Sequence, residues 1–198
     1  MIKNIVFDVG NVLVTFNPEA YLDKLGYDVQ TKQAIGKAVF NNPLWNENDR
    51  GIMSDEELLN GFIVNAPEYE LQIREAFERI GGAIELLPHA MNWVRDLKSR
   101  GYRLYVLSNY GEYTYKQTKH KLGFLPFMDG TIFSYKYKVI KPEKEIYELL
   151  LNKFDLQAAE TVFIDDRLEN VEAAQELGFK GIQFQNIMQA KEELEELL

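Results

Sequence analysis

Three stretches of the chain run straight from apolar residues into groups that can do chemistry. Ile5-Val6-Phe7 leads into Asp8, with Gly10 and Asn11 close behind. Leu104-Tyr105-Val106-Leu107 leads into Ser108-Asn109, and Thr161-Val162-Phe163-Ile164 leads into Asp165-Asp166. An aspartate is a competent nucleophile toward phosphorus or carbon, splitting one difficult step into two through a covalent intermediate. Adjacent carboxylates raise each other's pKa unless a cation compensates. With Asp8, the Asp165-Asp166 pair makes a hard, oxygen-rich ligand set of the kind that suits Mg2+. Ser108 and the backbone amides after it can donate hydrogen bonds to phosphoryl oxygens. Each residue alone has an ordinary reading: Asp8 as a helix cap or turn, Ser108 as a strand-end turn. The recurrence is what argues for a single site.

The elements that must position these groups are buried strands. Short apolar runs rich in β-branched and aromatic residues read as strands of a parallel sheet. In such sheets ligands bind outside the carboxyl ends of the strands. Further strands are expected at Thr131-Ile132-Phe133 and at 181–184, with helices from Pro88 to Gly101, 113–122, from Pro142 to Phe154, 168–177 and 190–198. Strands alternating with helices imply an α/β fold with a doubly wound, Rossmann-like parallel sheet. Between the first strand and about residue 85 no strand pattern is found. Asn17-Pro18 reads as a capped helix start, and helices are expected near 18–25, 29–40, 54–65 and 68–80. Ser54-Asp55-Glu56-Glu57 reads as a capping box. Asn46 to Glu57 also has the Gly and Glu spacing of a calcium loop, but Arg50 occupies a position that must ligate, so the helix start is preferred. The chain is thus divided into an α/β core, 1–16 and 87–198, and a helical insert, 17–86.

Composition excludes several classes. The 198 residues carry a net charge of −9, which argues against a nucleic-acid surface. Zero cysteines rule out disulfides and thiolate metal sites, and the presence of only two histidines, His89 and His120, argues against a histidine-built zinc site. No apolar run reaches the roughly 18 residues of a membrane span. The first strand begins almost at the first residue, leaving no room for a signal peptide, so a cytoplasmic location is expected, with no membrane partner.

The order of these motifs resembles the haloacid dehalogenase-like (HAD) hydrolases, subfamily I with a helical cap, and the resemblance covers essentially the whole chain. It implies that Asp8 is the nucleophile, Ser108 the second-motif hydroxyl, Lys141 in Val139-Ile140-Lys141-Pro142 the third-motif lysine, and Asp165-Asp166 the acidic fourth motif. It further implies a small phosphorylated substrate held by Ser108, Asn109 and Lys141. Mg2+ would be ligated by Asp8, the Gly10 carbonyl, Asp165 and Asp166, with Asn170 behind them. Trp45 and Arg50 are candidate substrate contacts from the cap, with a buried or helix-terminal structural role as the equal alternative for each. One departure stands out: most family phosphatases carry a second aspartate where this chain has Gly10. Asp8-Val9-Gly10-Asn11-Val12 resembles a subgroup that includes α-D-glucose-1-phosphate phosphatases. The missing side chain removes the usual general acid, a contribution of about 10²–10⁴ in rate. If nothing replaces it, leaving groups of low pKa are favoured and a sugar 1-phosphate is the expected substrate. A metal-free dehalogenase and a catalytically impaired binding protein are the alternatives. A flavodoxin-like nucleotide binder lacks its glycine-rich motif. Oligomeric state is not legible.

Overall fold

The computed structural model describes all 198 residues. Along the chain the elements are β1 (Asn4–Phe7), β2 (Val14–Phe16), α1 (Pro18–Lys24), α2 (Val29–Ile35), α3 (Leu44–Arg50), α4 (Asp55–Asn65), α5 (Glu70–Glu78), β3 (Ile84–Leu86), α6 (Ala90–Ser99), β4 (Arg103–Ser108), α7 (Glu112–Thr118), β5 (Gly130–Phe133), α8 (Lys144–Phe154), β6 (Thr161–Asp165), α9 (Leu168–Glu176), β7 (Lys180–Gln183) and α10 (Ile187–Leu197). The five strands β5-β4-β1-β6-β7 form one sheet in that order, every pair parallel. It is the expected α/β architecture, a doubly wound sheet with an inserted helical segment.

Alternation along the strands explains the two-sided sheet. Ile5, Phe7, Leu104, Val106, Val162 and Ile164 face one cluster, with Trp93, Leu97 and Leu194 from α6 and α10. Val6, Tyr105, Leu107 and Phe163 face the other, with Ile146, Tyr147 and Leu150 from α8. Successive side chains of a strand point to opposite faces, so continuous apolar runs are what a sheet covered on both faces requires. Phe7 meets Trp93 edge to face at a centroid distance of 5.0 Å. No helix is long and apolar enough to cross a membrane.

The insert has a core of its own, 13 buried residues running from Tyr21 to Ala83. Its helix starts follow local chemistry. Asn17 Oδ1 accepts from Ala20 N with Pro18 in the first turn. At α4 Ser54 Oγ accepts from Glu57 N while the Glu57 carboxylate accepts from Ser54 N, so the capping box is real and Glu57 is engaged there rather than in a calcium loop. Three features differ from expectation. The second helix passes into a π-helical turn over Gly36–Phe40. An additional helix, α3, follows Asn42-Pro43, where Asn42 Oδ1 accepts from Leu44 N at 3.0 Å, an asparagine–proline start like that of α1. The insert is also bounded by a two-stranded antiparallel ribbon, Val14 opposite Leu86 and Phe16 opposite Ile84, where no strand was expected. Three residues per strand are too few to show an alternation.

Candidate active site

Asp8 leaves β1 beside Asp165 of β6, because Phe7 and Ile164 are register partners and Asp8 N donates to Ile164 O at 2.9 Å. Lys141 Nζ comes between them, 2.8 Å from Asp8 Oδ1 and 2.6 Å from Asp165 Oδ2. None of the three is more than 7% exposed. A lysine just ahead of a helix is ordinarily solvated; here it is buried because two carboxylates receive it. Its loop is fixed by Asn109, whose amide donates to Lys141 O at 3.0 Å and accepts from Lys141 N at 2.8 Å. Both ends of that side-chain amide are thus committed to the lysine's backbone. Ser108 is buried at the end of β4, and its hydroxyl has only a long contact of 3.5 Å, to Asn109 O.

The acidic motif divides in two. Asp165 Oδ1 accepts from Arg167 N at 2.8 Å and Asn170 Nδ2 at 3.0 Å, and Oδ2 accepts from Lys141 Nζ and from Asn170 Nδ2 at 3.1 Å. Asp166 is partly exposed and accepts only from Asn11 Nδ2, at 3.0 Å, among side chains. Asn11 has φ 55°, a left-handed conformation that asparagine tolerates better than most residues, and its Oδ1 accepts from Phe16 N at 3.0 Å. The turn after Asp8 is thereby tied both to β2 and to Asp166.

The charges of this cluster do not balance. Burial raises the Asp8 carboxyl from 3.8 to about 7; Lys141 opposes the rise and Asp165 and Asp166 add to it. Burial also raises Asp166, against the Asn11 hydrogen bond and with Asp165 adding. For Lys141 burial works against the ammonium, but Asp165 and Asp8 outweigh it and lift its pKa above the ordinary lysine value. Asp8, Asp165 and Asp166 bring one oxygen each within 4.8 Å of one another. Two buried acceptors here are left without an aligned hydrogen bond: Asn170 Oδ1, and Asp8 Oδ1, which has Lys141 only as a charge partner. Excess carboxylate, unsatisfied buried acceptors and an all-oxygen donor set are what a hard divalent cation would satisfy, so the residues fit a magnesium ion.

These groups open into a cavity of about 530 Å³ lined by Asp8, Gly10, Asn11, Lys141 and Asp166 on the sheet side. On the insert side Trp45, Phe16 and Phe40 form a wall, Phe16 stacked on Trp45 at 5.7 Å and Phe40 tilted against it at 5.1 Å, with Asn41, Asn42, Asn46 and Asp49 beside them. Trp45 therefore lines the cavity. Arg50 does not; its guanidinium forms a two-pronged ion pair with Glu143, at 2.8 and 2.5 Å. A β-carbon built on Gly10 would meet nothing nearer than Asp8 Oδ2 at 4.0 Å, so a side chain there is missing rather than sterically forbidden. Sequence reasoning passed over Asp49. Its only signal is its place ahead of Arg50-Gly51 within a segment whose helix was not foreseen.

The family model for haloacid dehalogenase-like hydrolases matches residues 2–178. A sesquiterpene phosphatase of Aspergillus oryzae is 29% identical over 198 residues, covering 99% of this chain and 96% of that protein. A D-ribitol-5-phosphate phosphatase of Bacteroides thetaiotaomicron is 26% identical over 215 residues, covering 100% and 99%. A HAD family enzyme of the same bacterium, crystallised with magnesium and inorganic phosphate, superimposes with a TM-score of 0.72 at 23% identity over 92% of this chain and 93% of that one, which speaks to the fold.

Proposed function

The chain belongs to the haloacid dehalogenase-like hydrolases, and from that premise we propose that it is a magnesium-dependent phosphatase acting on a small phosphomonoester through an aspartyl-phosphate on Asp8. The observation that carries the reading is Lys141 clamped between Asp8 and Asp165 at the floor of a cavity, with Asp166 at its edge. Asp8 attacks phosphorus, the ester oxygen leaves, and water then releases phosphate from Asp8. Lys141 holds the Asp8 carboxylate in place and opposes negative charge building on the transferring group. Ser108 and the backbone around Asn109 offer donors to the phosphoryl oxygens. Asp8, Asp166 and the Gly10 carbonyl would hold the metal; Asp165, whose oxygens already take Lys141, Asn170 and Arg167 N, orients the lysine beside it. When bound, magnesium supplies positive charge that lets an anionic nucleophile approach an anionic substrate.

Residues 17–86 act in this reading as the cap that receives the leaving group. An aromatic wall beside several carboxamides suits a polyhydroxylated, sugar-like group, which is also where the Asp8-Val9-Gly10-Asn11 motif points. The test is hydrolysis of a panel of phosphorylated metabolites, sugar 1- and sugar 5-phosphates included, with magnesium and with excess chelator. Turnover should require magnesium and vanish in Asp8→Asn, an exchange of nearly equal size. Full turnover in chelator, or an active Asp8→Asn protein, would overturn the reading.

A further inference from the structure

Gly10 leaves its place in the cavity without the usual side-chain acid, and a carboxyl carried by the insert lines the same cavity. Three contacts fix the backbone around Asp49 against the core. Ser134 Oγ, which accepts from Tyr110 N at 2.9 Å, donates to Asp49 O at 2.5 Å. Arg50 pairs with Glu143 in the loop that carries Lys141, and Lys138 Nζ donates to Gly51 O. Gly51, in the left-handed region at φ 69°, ends α3 with its α-carbon packed on Tyr135. The Asp49 side chain is committed to nothing comparable. It lines the same cavity as Asp8, Gly10 and Lys141, makes no ion pair, and takes one long hydrogen bond of 3.4 Å from Asn48 Nδ2.

We propose that Asp49, delivered by the insert, is the general acid and base of this enzyme, in place of the side chain that Gly10 lacks. The inference rests on the phosphatase reading and adds a catalytic residue to it. In the first half-reaction an Asp8 oxygen bonds to phosphorus and the bond from phosphorus to the ester oxygen breaks. Its electron pair stays on that oxygen, which takes the Asp49 proton and leaves as an alcohol. In the second, the Asp49 carboxylate takes a proton from water as the water oxygen bonds to phosphorus. The bond to Asp8 breaks, phosphate departs, and both residues return to their starting states. The surroundings favour both transfers. Burial, with the Asp8 charge adding and Lys141 and Arg167 opposing, raises the Asp49 carboxyl from 3.8 to about 7. A group that titrates near the working pH can both give and take a proton. The arrangement also removes the physical argument for restricting substrates to good leaving groups. It makes the acid available only when the insert sits on the core, so an open site has neither the acid nor the base.

The experiment compares wild type with Asp49→Asn and Asp49→Glu, in magnesium, on 4-nitrophenyl, phenyl and benzyl phosphate. These esters keep an aromatic ring while the leaving-group pKa climbs. Asp49→Asn is expected to lose about 10²–10⁴ in kcat/KM on benzyl phosphate and less than about tenfold on 4-nitrophenyl phosphate, which needs no acid. It should also release a burst of one nitrophenolate per active site, because hydrolysis of the aspartyl-phosphate has lost its base. Asp49→Glu should recover part of the benzyl phosphate rate. The ratio of the two esters is measured on one sample, so it is independent of the fraction folded. Equal losses on both esters, or none, would overturn the role of Asp49. A wild type that cleaves neither these three esters nor any of the phosphorylated metabolites would sink the phosphatase reading itself, and this inference with it.

Discussion

Lys141→Met tests the centre of the site at the level of one side chain. Lys141 is the only cation in ion-pair contact with Asp8 and Asp165, and it is almost wholly buried. Breaking one partner out of a buried charge cluster costs about 3–5 kcal/mol, since the remaining charges stay unpaired. The variant should therefore lose turnover and also unfold at a clearly lower temperature; an unchanged Tm would mean that water already solvates the carboxylates. A pH effect belongs to the same group of residues. Without metal, the folded Asp8 binds its proton more tightly than the unfolded chain, about 7 against 3.8. Stability from this group is complete below 3.8 and is lost as pH rises through the folded value. The gap in Tm between magnesium-loaded and chelator-treated protein should accordingly widen from about pH 5 to about pH 8. A gap that is constant over this range would show that the cluster is not where the metal acts. The lysine's burial could not be read from its own neighbourhood in the chain, because what buries it is an aspartate 24 positions away.

At the scale of elements, the seam between α3 and the start of α7 controls where Asp49 stands. Gly111 has φ −74°, which any residue adopts, so it is glycine for want of space: a β-carbon would lie 2.5 Å from both Nδ2 and Oδ1 of Asn48. Gly111→Ala should push α3 off the core and depress turnover while leaving the sheet intact. Gly36→Ala is the matched control, because nothing lies within 4 Å of its β-carbon position and its backbone is helical. It should keep activity and be neutral or stabilising by up to about 1 kcal/mol. Kinetics and thermal unfolding of the two variants decide it, and an unimpaired Gly111→Ala would mean that the seam gives way easily. The sequence was informative wherever an element carries its own signal. The sheet strands announce themselves because both faces are covered, so every residue of Ile5-Val6-Phe7 is apolar. The start of α4 announces itself through the Ser54–Glu57 box. Helix α3 carries a weaker signal. Its Asn42-Pro43 start does carry a side-chain bond, Leu44 N to Asn42 Oδ1 at 3.0 Å, but the helix is short and rich in asparagines and acids, and its contacts to the core run through Ser134, Tyr135 and Glu143.

At the scale of the whole molecule there are two bodies joined in three ways: the α3 seam, a second seam at α7, and the ribbon β2–β3. The second seam holds Phe77 stacked on Tyr113 at 4.9 Å, while Lys121 Nζ donates to Gly81 O at 2.9 Å and Ile84 O at 2.8 Å. The seams are non-covalent contacts; the chain itself crosses between the bodies only at the end of the ribbon. Its last register pair is Phe16 opposite Ile84, which means that the chain leaves the core and re-enters it at adjacent points. The insert is therefore topologically a decoration on a hairpin, and the molecule can be spliced. Replacing residues 17–83 with Asn-Gly, a two-residue turn that matches strand twist, closes β2 and β3 into an ordinary hairpin. The spliced protein should unfold cooperatively, since the sheet's two apolar clusters contain no residue of the removed segment. Magnesium should still raise its Tm. Lacking Asp49, Phe40 and Trp45, it should release nitrophenolate once per site and then stall, behaving as a phosphate acceptor rather than an enzyme. An insoluble or non-cooperative product would show instead that the two bodies fold as one.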